Sequence, residues 1–179
     1  MIRHQAVAPC RQPIAPVGRR ILVIVPCGAR KIWNGNFLAG PTPAKDAYVS
    51  TLFRLHRRYA EAFGAEWRIL SAWYGIMHPD QLIEAYDARF RASDLHPHNW
   101  WRITEMFRQA RALGGFDQLV LLGGSLYREI ARRAFEGVFL PEQVSEPFAG
   151  MDLLRTLRAL KLAVAGKPRD VSTRPQTKL

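Results

Sequence analysis

Cysteine is almost missing from this chain: Cys10 and Cys27 are the only two among 179 residues. Two thiols are too few for a disulfide framework or a cysteine-rich zinc site, and the expected compartment is a reducing cytosol. Long hydrophobic runs are missing as well. The longest, Ile21 to Val25, is strand-sized and far short of the ~20 apolar residues of a membrane span. No apolar segment follows Arg3, so no secretory signal is read at the N-terminus. Acid is scarce, with 15 Asp and Glu against 26 Lys and Arg and a net charge of +11. There is no internal repeat, no low-complexity tract and no Walker-type phosphate loop.

What is present is enough apolar residue, 48% of the chain, to build the core of one domain. The positive excess is unevenly placed. Residues 1–20 hold four arginines and no acid, and residues 166–179 hold Lys167, Arg169, Arg174 and Lys178 against Asp170. The expected organisation is a basic, proline-bearing arm over 1–18, one α/β domain over 19–165 and a basic flexible tail over 166–179. Basic tails bind polyanions by counterion release or simply aid solubility. The expected partner is a nucleic acid, DNA in the first place, or a nucleotide. No membrane partner is expected, and the oligomeric state is left open.

Arg20 to Pro26 reads as a buried parallel strand, being continuous, apolar and rich in Ile and Val. Thr42-Pro43 then reads as an N-cap and first helical residue. Tyr48, Leu52, Leu55, Tyr59 and Phe63 share a face of a helix that Gly64 ends. Trp67 to Ala72 is a second strand. Residues 73–98 are irregular, with a short helix near 80–85. Asn99 caps a helix that presents Trp100, Ile103, Phe107, Ala110 and Leu113 on one face. Gln118 to Leu122 is a third strand, turning through Gly123-Gly124 into a helix capped by Ser125. An edge strand is expected near 138–140, and a last helix over 150–165 turns Leu153, Leu154, Leu157 and Leu160 to the core. This alternation predicts a three-layer α/β fold, Rossmann-like or glycosylase-like, with a mainly parallel sheet and helices on both faces. Ligands in such sheets bind beyond the carboxyl ends of the strands, where three glycine-bearing segments fall.

In the first segment, PCGARK, Gly28 allows a close turn, and Arg30 and Lys31 bring charge to an anion. Cys27 is either a nucleophile or an inert buried thiol. The second, SAWYGIMHPD, offers Ser71 and Tyr74 as hydroxyls, Trp73 and Tyr74 as faces for a base, and Gly75 for a turn. Its aromatics either receive a ring or pack the loop. His78, Asp80, Glu84 and Asp87 follow. Asp87, next to Tyr86, is the preferred acid for stabilising an oxocarbenium-like centre or orienting water, and Asp80 is an alternative helix cap. His78, His96 and His98 fit no ligand spacing, so neither metal nor cofactor is expected. The third segment is GGSLY, where Gly123, Gly124 and Ser125 form either an anion site at a helix N-terminus or a plain turn. Arg54, Arg57 and Arg58 lie on the polar face of the first long helix. With Arg19, Arg20 and Arg30 they are candidates to track a nucleic-acid backbone, or a solvated face.

These segments, with AGPTPAKDAYVS between the first two, resemble a family of small uncharacterised bacterial and phage domains. Their pattern is PCxxxK, AxxxYxS, SAxYGxxxPxxxxxxYD and GGxxY, and the resemblance covers about residues 20–150. It adds Tyr48, Tyr86 and Tyr127 to the substrate-binding candidates. The layout is also similar to domains beside archaeosine-forming enzymes and, distantly, to uracil-DNA-glycosylase-type folds, which implies nucleobase recognition. The glycosylase loops of the GQDPYH and HPSPLS kinds are absent, and Trp73 stands where such domains often carry lysine. The leading expectation is a nucleic-acid-directed enzyme acting on an N-glycosidic bond, a hydrolase with Ser71, Tyr74 and Asp87 at its centre. The alternatives are a non-catalytic nucleotide or nucleic-acid binding module, and a small-molecule nucleoside or nucleotide transferase or hydrolase.

Overall fold

A computed structural model describes residues 18–96 and 100–166, with the main chain alone for 100–102. The arm, the basic tail, His98 and the Asn99 cap lie outside the described residues. The elements in chain order are β1 (Ile21–Pro26), β2 (Thr42–Pro43), α1 (Ala44–Ala47), α2 (Thr51–Phe63), β3 (Glu66–Ser71), β4 (Gly75–Met77) and β5 (Leu82–Ile83). They continue with α3 (Trp100–Arg111), β6 (Gln118–Leu121), α4 (Ser125–Ala134), β7 (Val144–Ser145) and α5 (Leu153–Ala165).

β1 is the middle of the sheet. The strand order is β4-β3-β1-β6-β7, with β3, β1, β6 and β7 parallel and β4 antiparallel at one edge. All six residues of β1 are buried, as a strand covered on both faces requires. Its side chains alternate between two cores. Ile21, Val23 and Val25 join Phe53, Tyr59 and Leu160 under α2 and α5. Leu22 and Ile24 join Met106, Ile130 and Ala131 under α3 and α4. The fold is therefore three-layer α/β with a mainly parallel sheet, as the strand–helix alternation requires.

Several local expectations are corrected. A helix does start here, but Pro43 is the N-cap position and α1 is one turn long; Thr42-Pro43 itself is β2, paired antiparallel with β5, and β5 replaces the helix expected near 80–85. A two-residue pairing is too short to leave a periodic signature. The first long helix is also broken. Tyr48 is extended (φ −98°, ψ 117°), and Ser50 starts α2 by accepting the Phe53 N–H at 3.2 Å. Ser50 is an ordinary N-cap, but an unbroken apolar stripe hid it. Gly64 does end α2.

Gly75, at φ +74°, reverses the chain so that β4 pairs back on β3 inside the stretch read as irregular. The edge strand is Val144–Ser145 rather than 138–140, where only an isolated Glu136–Phe139 bridge forms. Gly124, not Ser125, occupies the N-cap position of α4. Asp152 caps α5 through the Arg155 N–H at 2.8 Å, so the helix starts later than expected and leaves Leu153 and Leu154 exposed. Leu160 and Ala163 carry its buried face, with Leu157 packed beside them. On α3, Met106 is buried with Ile103 and Ala110, a position the expected stripe omitted.

Candidate functional site

The chain leaves β1 toward the α2 face and leaves β6 toward α4 on the opposite face. β1 and β6 are neighbours, so the crevice in which open α/β sheets hold ligands is expected beyond their carboxyl ends, at this change of direction. Cys27 leaves β1, and Tyr127 lies in the first turn of α4 after β6. The Cys27 Sγ and the Tyr127 hydroxyl meet across the crevice at 3.6 Å.

The first segment is stitched to the broken helix. The Cys27 N–H continues the β1–β3 ladder to the Leu70 carbonyl at 2.9 Å, and the Val49 N–H reaches the Arg30 carbonyl at 3.0 Å. Lys31 bridges Tyr48. A Cβ on Gly28 would lie 3.1 Å from the Tyr48 Cβ and 3.3 Å from the Ser50 Oγ, so glycine there lets Tyr48 close on the strand end. The break at 48–50 thus turns a residue expected on the helix stripe into the site.

Tyr48, Ser71 and Tyr86 form one hydroxyl chain. The Tyr48 and Tyr86 oxygens are 2.6 Å apart, and the Ser71 Oγ is 3.0 Å from the Tyr86 oxygen. Ser71 is fully buried, and its Oγ accepts the N–H groups of Trp73 and Tyr74 at 3.1 and 3.2 Å. Those two amides fill its lone pairs, so Ser71 donates its own proton to Tyr86. Ser71 holds the turn and aims Tyr86. Burial raises the phenols of Tyr48, Tyr86 and Tyr127 above the ordinary tyrosine range, with the nearby Cys27 adding to it. At neutral pH all three are protonated and serve as hydrogen-bonding phenols, not as bases.

Tyr86 also organises the rings. Tyr74 stands edge-on to it (centroids 5.3 Å, 88°), and the Tyr74 oxygen accepts the Glu84 N–H at 3.1 Å. Trp73, 62% exposed, lies nearly parallel to Tyr86 with centroids 6.5 Å apart and planes 20° from parallel. The Lys31 Nζ sits 4.3 Å from the centre of the Tyr86 ring. Phe90 packs edge-on against Tyr127.

The third segment bends at Gly123 (φ +101°), where an added Cβ would lie 2.7 Å from the Pro26 ring. The Arg128 guanidinium donates to the Gly123 carbonyl and pairs with Glu146 at 2.8 Å. Gly124 and Ser125 are exposed at the start of α4. Gln109 fixes the other turn: its side-chain oxygen accepts the Ile76 N–H at 2.7 Å, behind Gly75. Neither Gln109 nor the Arg128–Glu146 pair was singled out from sequence, because each acts on a turn many residues away or through a partner on another element.

The remaining candidates are dispersed. Asp87 is exposed, and its carboxylate accepts no hydrogen bond from a described residue. Asp80 is a surface acid paired with Lys45 at 2.5 Å, and that contact lowers its pKa. Arg57 is engaged by Asp46 and Glu61 at 2.8 and 2.7 Å. Arg54 and Arg58 are exposed one helical turn apart on α2, and Arg30 is exposed beside the first segment. Arg19 and Arg20 precede β1 and so lie at the opposite end of the sheet, where Arg20 covers Phe116. Among the described residues no group of three His, Cys, Asp or Glu could hold a metal ion, and no helix is long and apolar enough to cross a membrane. A separate concavity of about 740 Å³ lies between α4 and β7. Its arginines pair with Glu129 and Glu146, Arg133 with Glu129 at 3.0 Å among them, and none of the three segments lines it.

Residues 22–161, which carry every residue of this crevice, match a family of unknown function, DUF6884. The chain belongs to the DUF6884 family. It is also similar to the uncharacterized protein YfjM of Bacillus subtilis (strain 168), 42% identical over 112 residues that make up 61% of this chain and 73% of that protein. No solved structure matches the chain.

Proposed function

We propose that this DUF6884 domain takes one nucleotide unit of a nucleic acid into the crevice beyond β1 and β6 and hydrolyses its N-glycosidic bond. The observation that carries the reading is the aromatic wall. Trp73 is a large exposed ring nearly parallel to Tyr86, beside the buried Tyr48 and the half-buried Tyr86 and Tyr127. A base stacked on such a face gains about 1–3 kcal/mol whatever its identity. A base inside a duplex would have to be extruded to reach it. The distant likeness of the strand–helix layout to glycosylase-type folds, whose own loops are absent here, fits the same ligand class by analogy.

In the reaction, the bond between the base nitrogen and C1′ breaks and the base leaves with a proton. Water then adds its oxygen to C1′ and gives up a proton. Asp87, carried by the residue after Tyr86, is the carboxylate available to stabilise the cationic sugar or orient that water. In this reading a protonated phenol donates to the departing base. The test is release of free base and formation of abasic sites on a panel of DNAs and RNAs with modified bases. Asp87→Asn is expected to abolish release and leave binding within about twofold, as loss of an interaction used only in the transition state does. Binding without release from any substrate would end the enzyme reading.

One observation favours a second reading, a binding module without chemistry. The hydroxyls of Ser71, Tyr74 and Tyr86 already serve one another and the main chain, while no described residue positions the Asp87 carboxylate. That reading expects salt-sensitive binding that survives Asp87→Asn, with no base released.

A further inference from the structure

Lys31 is the anomaly of the crevice. It is only 8% exposed, yet no carboxylate of the described residues pairs with it. The other shielded cations are all matched: Arg128 with Glu146, Arg68 with Glu66, and Arg57 with Asp46 and Glu61. Its aliphatic stem is covered, while its ammonium is not among the buried polar atoms left without a partner and so is open to a counter-charge from outside. The face of Tyr86, 4.3 Å from Nζ, is the contact that the described residues give it.

Three features fix the Lys31 main chain and the ring that its ammonium lies against. The Lys31 N–H is fixed by the Asn34 side chain at 2.7 Å, its main chain bridges Tyr48, and the Tyr86 ring beneath it is pinned by Ser71 and Tyr48. A preorganised, unpaired cation of this kind stabilises an incoming anion more than a mobile surface lysine does. The same Tyr86 ring is nearly parallel to the exposed Trp73. A flat ring on Trp73 and an anion on Lys31 would therefore belong to one ligand.

We propose that Lys31 is the anion anchor of the crevice and binds a phosphate of the nucleotide whose base lies against Trp73. The inference rests on the nucleotide reading above, and of the two segments expected to meet an anion it favours the first over the Gly123–Gly124 turn. A phosphate of this kind comes either from a free mononucleotide or from a phosphodiester within a strand.

The test measures binding of the four common nucleosides, their 5′-monophosphates and a single-stranded oligonucleotide to the full chain and to Lys31→Met and Lys31→Arg. Wild type is expected to bind a monophosphate or the oligonucleotide at least about tenfold more tightly than the matching nucleoside, the effect of one charge-assisted contact. Lys31→Met should bring the two within about twofold and leave the nucleoside affinity unchanged, while Lys31→Arg keeps part of the preference. Preference for the monophosphate identifies a free nucleotide, and preference for the oligonucleotide alone identifies a strand. Inorganic phosphate should compete with the phosphorylated probe in wild type and not in Lys31→Met.

A structural lysine would behave differently. Lys31→Met would then lower the unfolding midpoint and weaken nucleoside and nucleotide alike, which overturns the assignment, as does the absence of any phosphate-dependent binding. Base release is a separate readout. Phosphate preference without release removes the hydrolase and keeps the anchor, and release without the preference does the reverse.

Discussion

Replacing Tyr86 by phenylalanine removes one oxygen and keeps the ring. The Ser71 proton then loses its 3.0 Å acceptor and keeps only the Tyr48 oxygen within reach, while the Ser71 Oγ still takes two main-chain N–H groups. The Tyr48 hydroxyl, on a side chain only 2% exposed, loses its 2.6 Å partner. Each buried polar group left unpaired costs about 1–3 kcal/mol. Some relief comes from rotation of the Tyr48 hydroxyl, so the expected loss for Tyr86→Phe is about 2–4 kcal/mol. In a domain of this size that corresponds to a fall of about 5–10 °C in the unfolding midpoint. Urea denaturation followed by circular dichroism measures it directly. Tyr48→Phe and the double variant complete a cycle, in which the pair should show a coupling of about 1 kcal/mol or more. The Lys31 and Trp73 contacts use the ring and survive the change. A loss below about 0.5 kcal/mol, the ordinary range of a surface substitution, would refute the hydroxyl chain as a buried network.

Two further outcomes follow from other residues. His56 lies buried on α2 with both ring nitrogens lacking a hydrogen-bond partner among the described residues, and burial lowers its pKa from 6.5 to about 4. The unfolded chain therefore binds the proton more readily. Stability is level above pH 6.5, falls as pH drops toward 4, and has lost about 2 kcal/mol from this group by pH 5. His56→Leu should remove that part of the slope between pH 7 and pH 5, and an unchanged slope in urea titrations would show that His56 is not the cause. Gly123→Ala puts a side chain at φ +101° and against Pro26, so it should destabilise by about 1–3 kcal/mol in the same assay, whereas Gly124→Ala, with no neighbour within 4 Å, should cost less than 1 kcal/mol.

The layers of the fold were legible because they rest on strong local signals. The Ile21–Val25 run, the stripe on α2 and the glycines after β1 and β6 each follow from one short window of sequence. The site was legible in its members and not in its arrangement. Cys27, Lys31, Tyr48, Ser71, Tyr86 and Tyr127 were all singled out, yet nothing local showed that Tyr48 and Tyr86 would share a hydrogen bond. That contact needs a break in a helix whose apolar spacing continues through it. The break is made by a Ser50 cap and by a main-chain bridge from Lys31, 17 positions away from Tyr48. Long-range partners were the least visible: Gln109 on Gly75, Arg128 on Gly123 and β2 on β5. Each is a single contact between residues with no shared periodicity. The charge is the reverse case. Its excess was plain from composition, but Arg57 is matched by acids, and Arg19 and Arg20 lie at the far end of the sheet. Lys31 is therefore the residue proposed to meet an anion in the crevice.

The place where a nucleotide binds decides between these readings. The most direct measurement is an amide and side-chain NMR titration of the labelled full chain with the tightest mononucleotide or oligonucleotide. The result expected is saturable shifts at Cys27, Gly28, Lys31, Trp73, Tyr86 and Tyr127, and none around Arg132, Phe139 and Leu140 in the concavity between α4 and β7. Shifts confined to that concavity, or to the outer arginines of α2 with the crevice silent, would contradict it.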